Sequence, residues 1–362
     1  MRRKDPLIIG GGPAGSAAAI TLARNGGKPL ILERQKVIGN ALCGGFLSWR
    51  TLQQLEGLGV TTSELGGQAI DRLRVFAQEK TASAGLPGGA IGLSRHRLDT
   101  IMLDHALAAG AAIETATVRG IKGIAVQTDG DTIEADSIFL ATGKHDLRGL
   151  ARPRFGGNDP TLGLRMRIGP HPKLTALIGS SIELHMFDRG YAGVLLQEDG
   201  SANLCMAVRK SRLMEAGGKP ATLFAELANV NPHLAERLAW LTQDREPDAI
   251  ASVPYGWRAL DTQNGLFRLG DQAAVIPSLA GEGIGIAVAS GVAAAEAWLD
   301  GGAESAPTYQ QRFAARAKRP IAVARFLWER GEQPWSAEMA VRALKLAPDI
   351  ADFLARATRI GG

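Results

Sequence analysis

The first apolar run, Leu7 to Ile9, is short and unbroken. The glycine-rich stretch Gly10 to Gly15 follows at once, then the alanine-rich segment Ser16 to Asn25 and a second apolar run ending at Glu33. An uninterrupted apolar triplet between turn residues predicts a strand buried on both faces, and the Ala-rich segment predicts a helix. Strand, turn, helix and strand in that order form a βαβ unit, with parallel strands and a right-handed crossover. Helical patterns recur over Thr51 to Leu58 and over Leu98 to Ala109, which Gly110 closes, and Ser137 to Ala141 reads as another buried strand. Between residues 162 and 208 the period drops to two. Leu164 to Ile168, Ile182 to Phe187, Ala192 to Gln197 and Asn203 to Val208 alternate, which predicts an antiparallel sheet with one face turned to water or a pocket. Helices are expected again over Ala221 to Ala228 and His233 to Thr242. A strand is expected over Gly265 to Gly270, a long helix over Ile284 to Trp298, and a basic amphipathic helical tail from Tyr309.

The fold class expected from this pattern is α/β. A Rossmann-like, parallel-sheet nucleotide lobe (1–150 and 255–305) is interleaved with an antiparallel-sheet substrate lobe (151–254) and followed by a C-terminal helical segment (306–362). Composition adds little to this, except that 45 glycines among 362 residues point to tight turns and close backbone approaches to a ligand. A net charge of +5 suits an anionic ligand such as a diphosphate. Basic blocks and interleaved aromatics are missing from the pattern, which argues against a nucleic-acid partner. Two cysteines, Cys43 and Cys205, are too few for a disulfide framework or a four-ligand zinc site, so no metal is expected and a reducing cytoplasm is the expected location. The run Ile284 to Ala295 falls short of the roughly 20 residues that span a bilayer. The basic start Met1 to Lys4 is read as leading into the first strand, since Asp5-Pro6 and the glycines interrupt any leader-like run. The tail, with Arg312, Arg316, Lys318, Arg319 and Arg325 beside Phe313, Phe326, Leu327 and Trp328, limits membrane contact to a peripheral one.

The chemistry begins at Gly10-Gly11-Gly12-Pro13-Ala14-Gly15, which fits G-x-G-x-x-G directly after a strand and opening a helix. Gly10 permits the turn, Gly12 lets a diphosphate approach, and Gly15 lets helix pack on strand, while the helix start holds the anion. Glu33, ending the second strand, suits the ribose hydroxyls and disfavours a 2′-phosphate, leaving FAD or NAD. A second segment favours FAD. Asp271 lies just past a strand, where it can hold a ribityl or ribose hydroxyl, and Gly281-Glu282-Gly283-Ile284 opens a long helix able to aim N–H donors at a flavin's pyrimidine edge.

Gly10 to Gly15, Glu33-Arg34, Arg95-His96-Arg97-Leu98-Asp99 and Gly270-Asp271 through Ile284 resemble flavoproteins of the para-hydroxybenzoate hydroxylase fold, and Leu42-Cys43-Gly44-Gly45 resembles the geranylgeranyl reductase branch. The resemblance implies that Gly10, Gly12, Pro13, Ala14, Gly15, Glu33 and Arg34 serve the ADP half of FAD, and that Arg95 contacts its phosphate or ribose. It further implies that Cys43 and Gly44 face the flavin, and that Asp271, Gly281, Glu282, Gly283 and Ile284 hold the ribityl chain and ring. Thr142-Gly143 stands where many hydroxylases of this fold carry Asp-Gly, a pair that helps position FAD and NADPH. No second glycine motif is present, so NAD(P)H or a separate electron donor is expected to dock transiently. Cys43 is the candidate catalytic residue, as proton donor or redox partner. Gly45, His185 and Tyr191 are candidates for the substrate side, and Cys205 reads as core. The expected activity is reduction of a carbon–carbon double bond in an apolar or aromatic small molecule. The alternatives are a flavin monooxygenase and a non-catalytic FAD-binding protein.

Overall fold

The computed structural model describes residues 2–153, 157–241 and 246–361. Its centre is a five-stranded parallel sheet in the order Leu266–Arg268, Ile138–Leu140, Leu7–Ile9, Leu30–Glu33, Ala112–Thr115. The apolar triplets expected to be buried on both faces are so. One face packs, through Ile8, Ile31, Phe139 and Phe267, on the helices Pro13–Arg24, Arg95–Ala108 and Gly283–Gly301. The other face packs, through Leu7, Ile9, Leu32 and Leu140, on a small sheet that includes Val118–Lys122, Ala125–Thr128 and Thr132–Ala135. The helices Pro13–Arg24 and Gly283–Gly301 touch backbone to backbone at Gly291, where a Cβ would lie 2.3 Å from the Ala14 carbonyl oxygen. The apolar stretch that opens the second of these helices is thus spent inside the protein.

A second sheet has eight strands, in the order Asp248–Ile250, Thr161–Ile168, Ala202–Arg209, Gly190–Leu196, Ser181–Phe187, Gln68–Ala77, Lys80–Gly92, Phe46–Leu47. It is antiparallel except where Ser181–Met186 runs parallel to Arg72–Ala77. The long hairpin Gln68–Gly92 was not legible in the sequence, because Arg, Asp, Lys, Pro and Gly break its alternation. Part of the stretch assigned to the nucleotide lobe therefore builds the other sheet, and the expected boundary at 150 does not separate the two. The face of Thr161–Ile168 and Ala202–Arg209 that carries Leu164, Ile168, Leu204 and Val208 is covered by Leu174, Leu223, Leu227 and Leu234 of three short helices. One of these runs Pro232–Leu238; Thr242, its expected end, lies outside the described residues. The hairpin Gln68–Gly92 is covered instead by the C-terminal helices Pro334–Leu346 and Asp349–Ala357, which follow the long helix Ala306–Gly331.

Candidate active site

A single cavity of about 1320 Å³ runs from the glycine turn, past the loop that carries Cys43, to the space beneath the C-terminal helices. At its first end the sequence dictates the geometry. Gly10 has φ of +105° and a Cβ there would meet the Ala141 carbonyl oxygen at 2.5 Å, while a Cβ on Gly15 would lie 1.9 Å from the Gly10 oxygen. Neither position admits a side chain. Helix Pro13–Arg24 begins at Gly12 with no side-chain cap, so its first-turn N–H groups are available to an anion. The Gly11 N–H donates to Glu33 Oε2 at 2.8 Å, and the Gln35 N–H donates to Oε1 at 3.0 Å, which fixes the carboxylate on the cavity wall. Arg95, held by two bonds to Asp99 at 2.8 and 2.7 Å, reaches the space over Gly12.

Arg34, Thr142, Gly143, Asp271, Gly281, Gly283 and Ile284 all line the same cavity. The Thr142 hydroxyl donates to the His145 carbonyl at 2.6 Å, so it closes its own turn. Gly281 sits at φ +63°, where a Cβ would meet the Phe46 ring at 2.8 Å. Glu282 departs from expectation. Its side chain turns away from the cavity and is wholly buried, accepting from Arg359 at 2.8 Å, from the Ile360 N–H at 3.2 Å and from Ser48 at 3.2 Å. Burial, only partly offset by Arg359, raises its carboxyl above the ordinary range. Arg359 also donates to the Ala280 carbonyl at 2.7 Å and lies over the Trp49 ring. The end of the chain is thereby strapped to the loop Gly281–Ile284.

The Cys43 loop hangs between the two ends. Asn203, buried in the second sheet, donates to the carbonyls of Cys43 and Gly44 at 2.9 and 2.8 Å. The Lys144 ammonium donates to the Leu42 carbonyl at 2.7 Å. Gly45 turns the chain at φ +76°. Cys43, Gly44 and Gly45 all line the cavity. Beyond them the walls are Leu73, Val75, Ile182, Leu184 and Met186, with Tyr191 and Tyr255 sharing Ser278 Oγ, at 2.5 Å in the case of Tyr191. Burial raises both phenols above their ordinary pKa, so they stay protonated hydrogen-bonding groups at neutral pH.

Two expectations on the substrate side are corrected. His185 lies on the opposite face of its strand from Leu184 and Met186, because side chains alternate. It stacks on Phe76 at 4.5 Å and bonds to Glu183, away from the cavity. Cys205, read as core, lines the chamber, and burial pushes its thiol up to about 12. Sequence reasoning missed Asn203 and Tyr255; His145, bonded to Arg34 at 2.9 Å, is exposed and also lines the cavity wall. Strand pairing brings Asn203 to the site and the loop bond to Ser278 brings Tyr255, so no local signal marked either.

The profile of a family described as FAD binding domain matches residues 3–149. A Methanosarcina barkeri protein, described as an uncharacterized protein in the nifH2 5′ region, is 33% identical over 157 residues, which cover 40% of this chain and 84% of that protein. The chain belongs to the FAD-dependent oxidoreductases built on this FAD-binding domain. Protein FixC of Escherichia coli K12 is 28% identical over 159 residues, 40% of this chain but only 37% of FixC. Among solved structures, PqsL of Pseudomonas aeruginosa, described as a probable FAD-dependent monooxygenase, superposes with a TM-score of 0.75 at 17% identity, covering 95% of this chain and all of PqsL. That likeness shows the fold.

The residues present fit FAD. Gly10, Gly12, Pro13 and Ala14 line the cavity where its diphosphate would lie, Glu33 lies where a ribose would, and the uncapped start of helix Gly283–Gly301 faces the same cavity. Bound FAD supplies the two-electron chemistry, and the chain supplies binding, orientation and exclusion of water.

Proposed function

We propose that this oxidoreductase is a flavin-dependent monooxygenase of an apolar or aromatic small molecule, with electrons from NAD(P)H or a separate electron-transfer partner that docks transiently. The observation that carries this reading is the chamber beyond the Cys43 loop. Its walls are Leu73, Val75, Ile182, Leu184 and Met186, and the Tyr191 and Tyr255 phenols set among them stay protonated near neutral pH. An apolar compartment suits oxygen chemistry, in which water diverts reactive species to peroxide. Similarity in fold to PqsL adds support. Reduced protein mixed with labelled oxygen and substrate should place one labelled atom in the product. Stoichiometric hydrogen peroxide with unlabelled product refutes oxygenation.

Cys43 supports a second reading, double-bond reduction of the geranylgeranyl reductase type, because its thiol lines the cavity between the cofactor end and the chamber. In that reaction the thiol would protonate one substrate carbon while the flavin delivers hydride to the other. Cys43→Ala should then abolish turnover with FAD retained, whereas under oxygenation it should change turnover by less than about tenfold.

A further inference from the structure

Helix Pro334–Leu346 is apolar on two sides. Ala337, Val341 and Leu344 face inward and are buried. Trp335, Met339 and Leu346 fall with Arg342 on one outward stripe, at spacings of four, three and four residues, and Leu346 is 87% exposed. Phe353 of the next helix is also well over half exposed. A surface helix ordinarily keeps one apolar stripe, so this second one calls for an occupant.

The neighbourhood indicates which. Ala340 and Ala343, exposed beside Met339 on the helix, line the cavity, as do the exposed Phe326 and Ile350. The mouth of the chamber is therefore rimmed by apolar side chains that merge with the outer stripe. Of the acids on these two helices, Glu338 is paired with Lys80 and Asp352 with Arg356, which leaves Asp349 against Arg342 and Lys345. Arg330 adds a further cation at the mouth, over Phe326. Apolar anchors flanked by spare cations match an acyl surface beneath anionic headgroups.

We infer that the C-terminal helix pair docks peripherally on an anionic lipid bilayer, with Trp335, Met339, Leu346 and Phe353 as its anchors, so that an apolar substrate passes from the acyl phase into the chamber. This purpose rests on the apolar-substrate reading above, but docking is measured without turnover, so the two can fail separately. The FAD-loaded protein should co-sediment with phosphatidylcholine vesicles containing phosphatidylglycerol, and less with phosphatidylcholine alone. Replacing all four anchors with Ser should weaken partitioning by at least about a hundredfold. The single changes Leu346→Ser and Phe353→Ser, at positions too exposed to endanger folding, should each weaken it by roughly tenfold. Arg342→Gln with Lys345→Gln should remove the preference for phosphatidylglycerol. FAD content and melting temperature should hold in the single variants. Wild-type protein that stays in the supernatant with both vesicle types overturns the inference. A dimer that Leu346→Ser dissociates, with no vesicle binding, would assign the stripe to a second copy instead.

Discussion

The two ends of the cavity are built on different principles. At the cofactor end the backbone sets the constraint: Gly10 and Gly15 are required because any side chain there would collide with a carbonyl oxygen. At the chamber end, the backbone is ordinary sheet and helix, and specificity resides in which side chains the pairing of distant strands brings together. Tyr191 meets Ser278 across 87 residues of chain, and Asn203 meets Cys43 across 160. A site made of local backbone tolerates almost no substitution and is stable in identity. A site made of distant side chains can be refitted to new substrates residue by residue.

The sharpest way to break this contrast is Gly15→Ala. One methyl group placed 1.9 Å from the Gly10 oxygen must displace either the turn or the helix. FAD content of the purified variant, read from its absorbance, should fall by at least about a hundredfold, as for a lost close-packed anion cradle. A variant that still purifies yellow would show that the turn has slack and that the cofactor end is less rigid than its geometry implies.

The second test concerns what holds the chamber sheet in place. Arg237 is fully buried, and its two bonds to Glu183, both 2.8 Å, fasten helix Pro232–Leu238 to the back of the sheet. Arg237→Ala strands a buried carboxylate, although Arg74 at 2.9 Å remains as a partial partner. Urea unfolding should show a loss of about 3 to 5 kcal/mol, with the FAD affinity of the still-folded fraction little changed. If FAD affinity fell in parallel, the two ends would be one mechanical unit.

The strap at Glu282 joins the regions and should give a smaller effect. Arg359→Ala removes the bonds to Glu282 and to the Ala280 carbonyl, leaving the loop Gly281–Ile284 held by Ser48 and the Ile360 N–H. FAD dissociation, followed by the rise of free-flavin fluorescence, should be faster by roughly tenfold, with Arg359→Lys intermediate. Unchanged dissociation in Arg359→Ala would confine Arg359 to packing against Trp49.

This division also explains what the sequence disclosed. The parallel sheet, the glycine turn, Glu33, Asp271 and the helix opening at Gly283 could be read directly, because each is a local pattern tied to a local constraint. The hairpin Gln68–Gly92 could not, since charge and glycine conceal its alternation. Nor could the orientation of Glu282, whose neighbours in sequence face the cavity while its own partners come from residues 48, 359 and 360. For His185 the periodicity was right and only the choice of face was open. One residue of register decides between chamber and back, and the short helices that claim the back face, Pro220–Val230 and Pro232–Leu238, come well after the strand in the chain.

That choice of face has a consequence at low pH. Burial holds His185 below the ordinary imidazole pKa, and its Nδ1 has no hydrogen-bond partner. Burial alone would lift the Glu183 carboxyl, but the bonds from His185 and Arg237 outweigh it and hold the group below the ordinary carboxylate value. Both shifts act in the same direction. With its folded pKa depressed, His185 leaves stability untouched above the unfolded imidazole value near 6.5, and below it the unfolded chain takes up the proton first. The stability from Glu183 is present above the unfolded carboxylate value near 4.3 and is lost as pH falls through the folded one. Melting temperature should therefore hold near neutrality, begin to fall below about pH 6.5, and fall further through the carboxylate range. His185→Phe, which keeps the stack on Phe76, should flatten the first part of that decline and, by removing one of the bonds that hold Glu183 low, also shrink the second. A variant whose profile matches wild type across the first part would mean that protonation of the imidazole costs the fold nothing, and that the back of the chamber sheet is wet where the structure shows it closed.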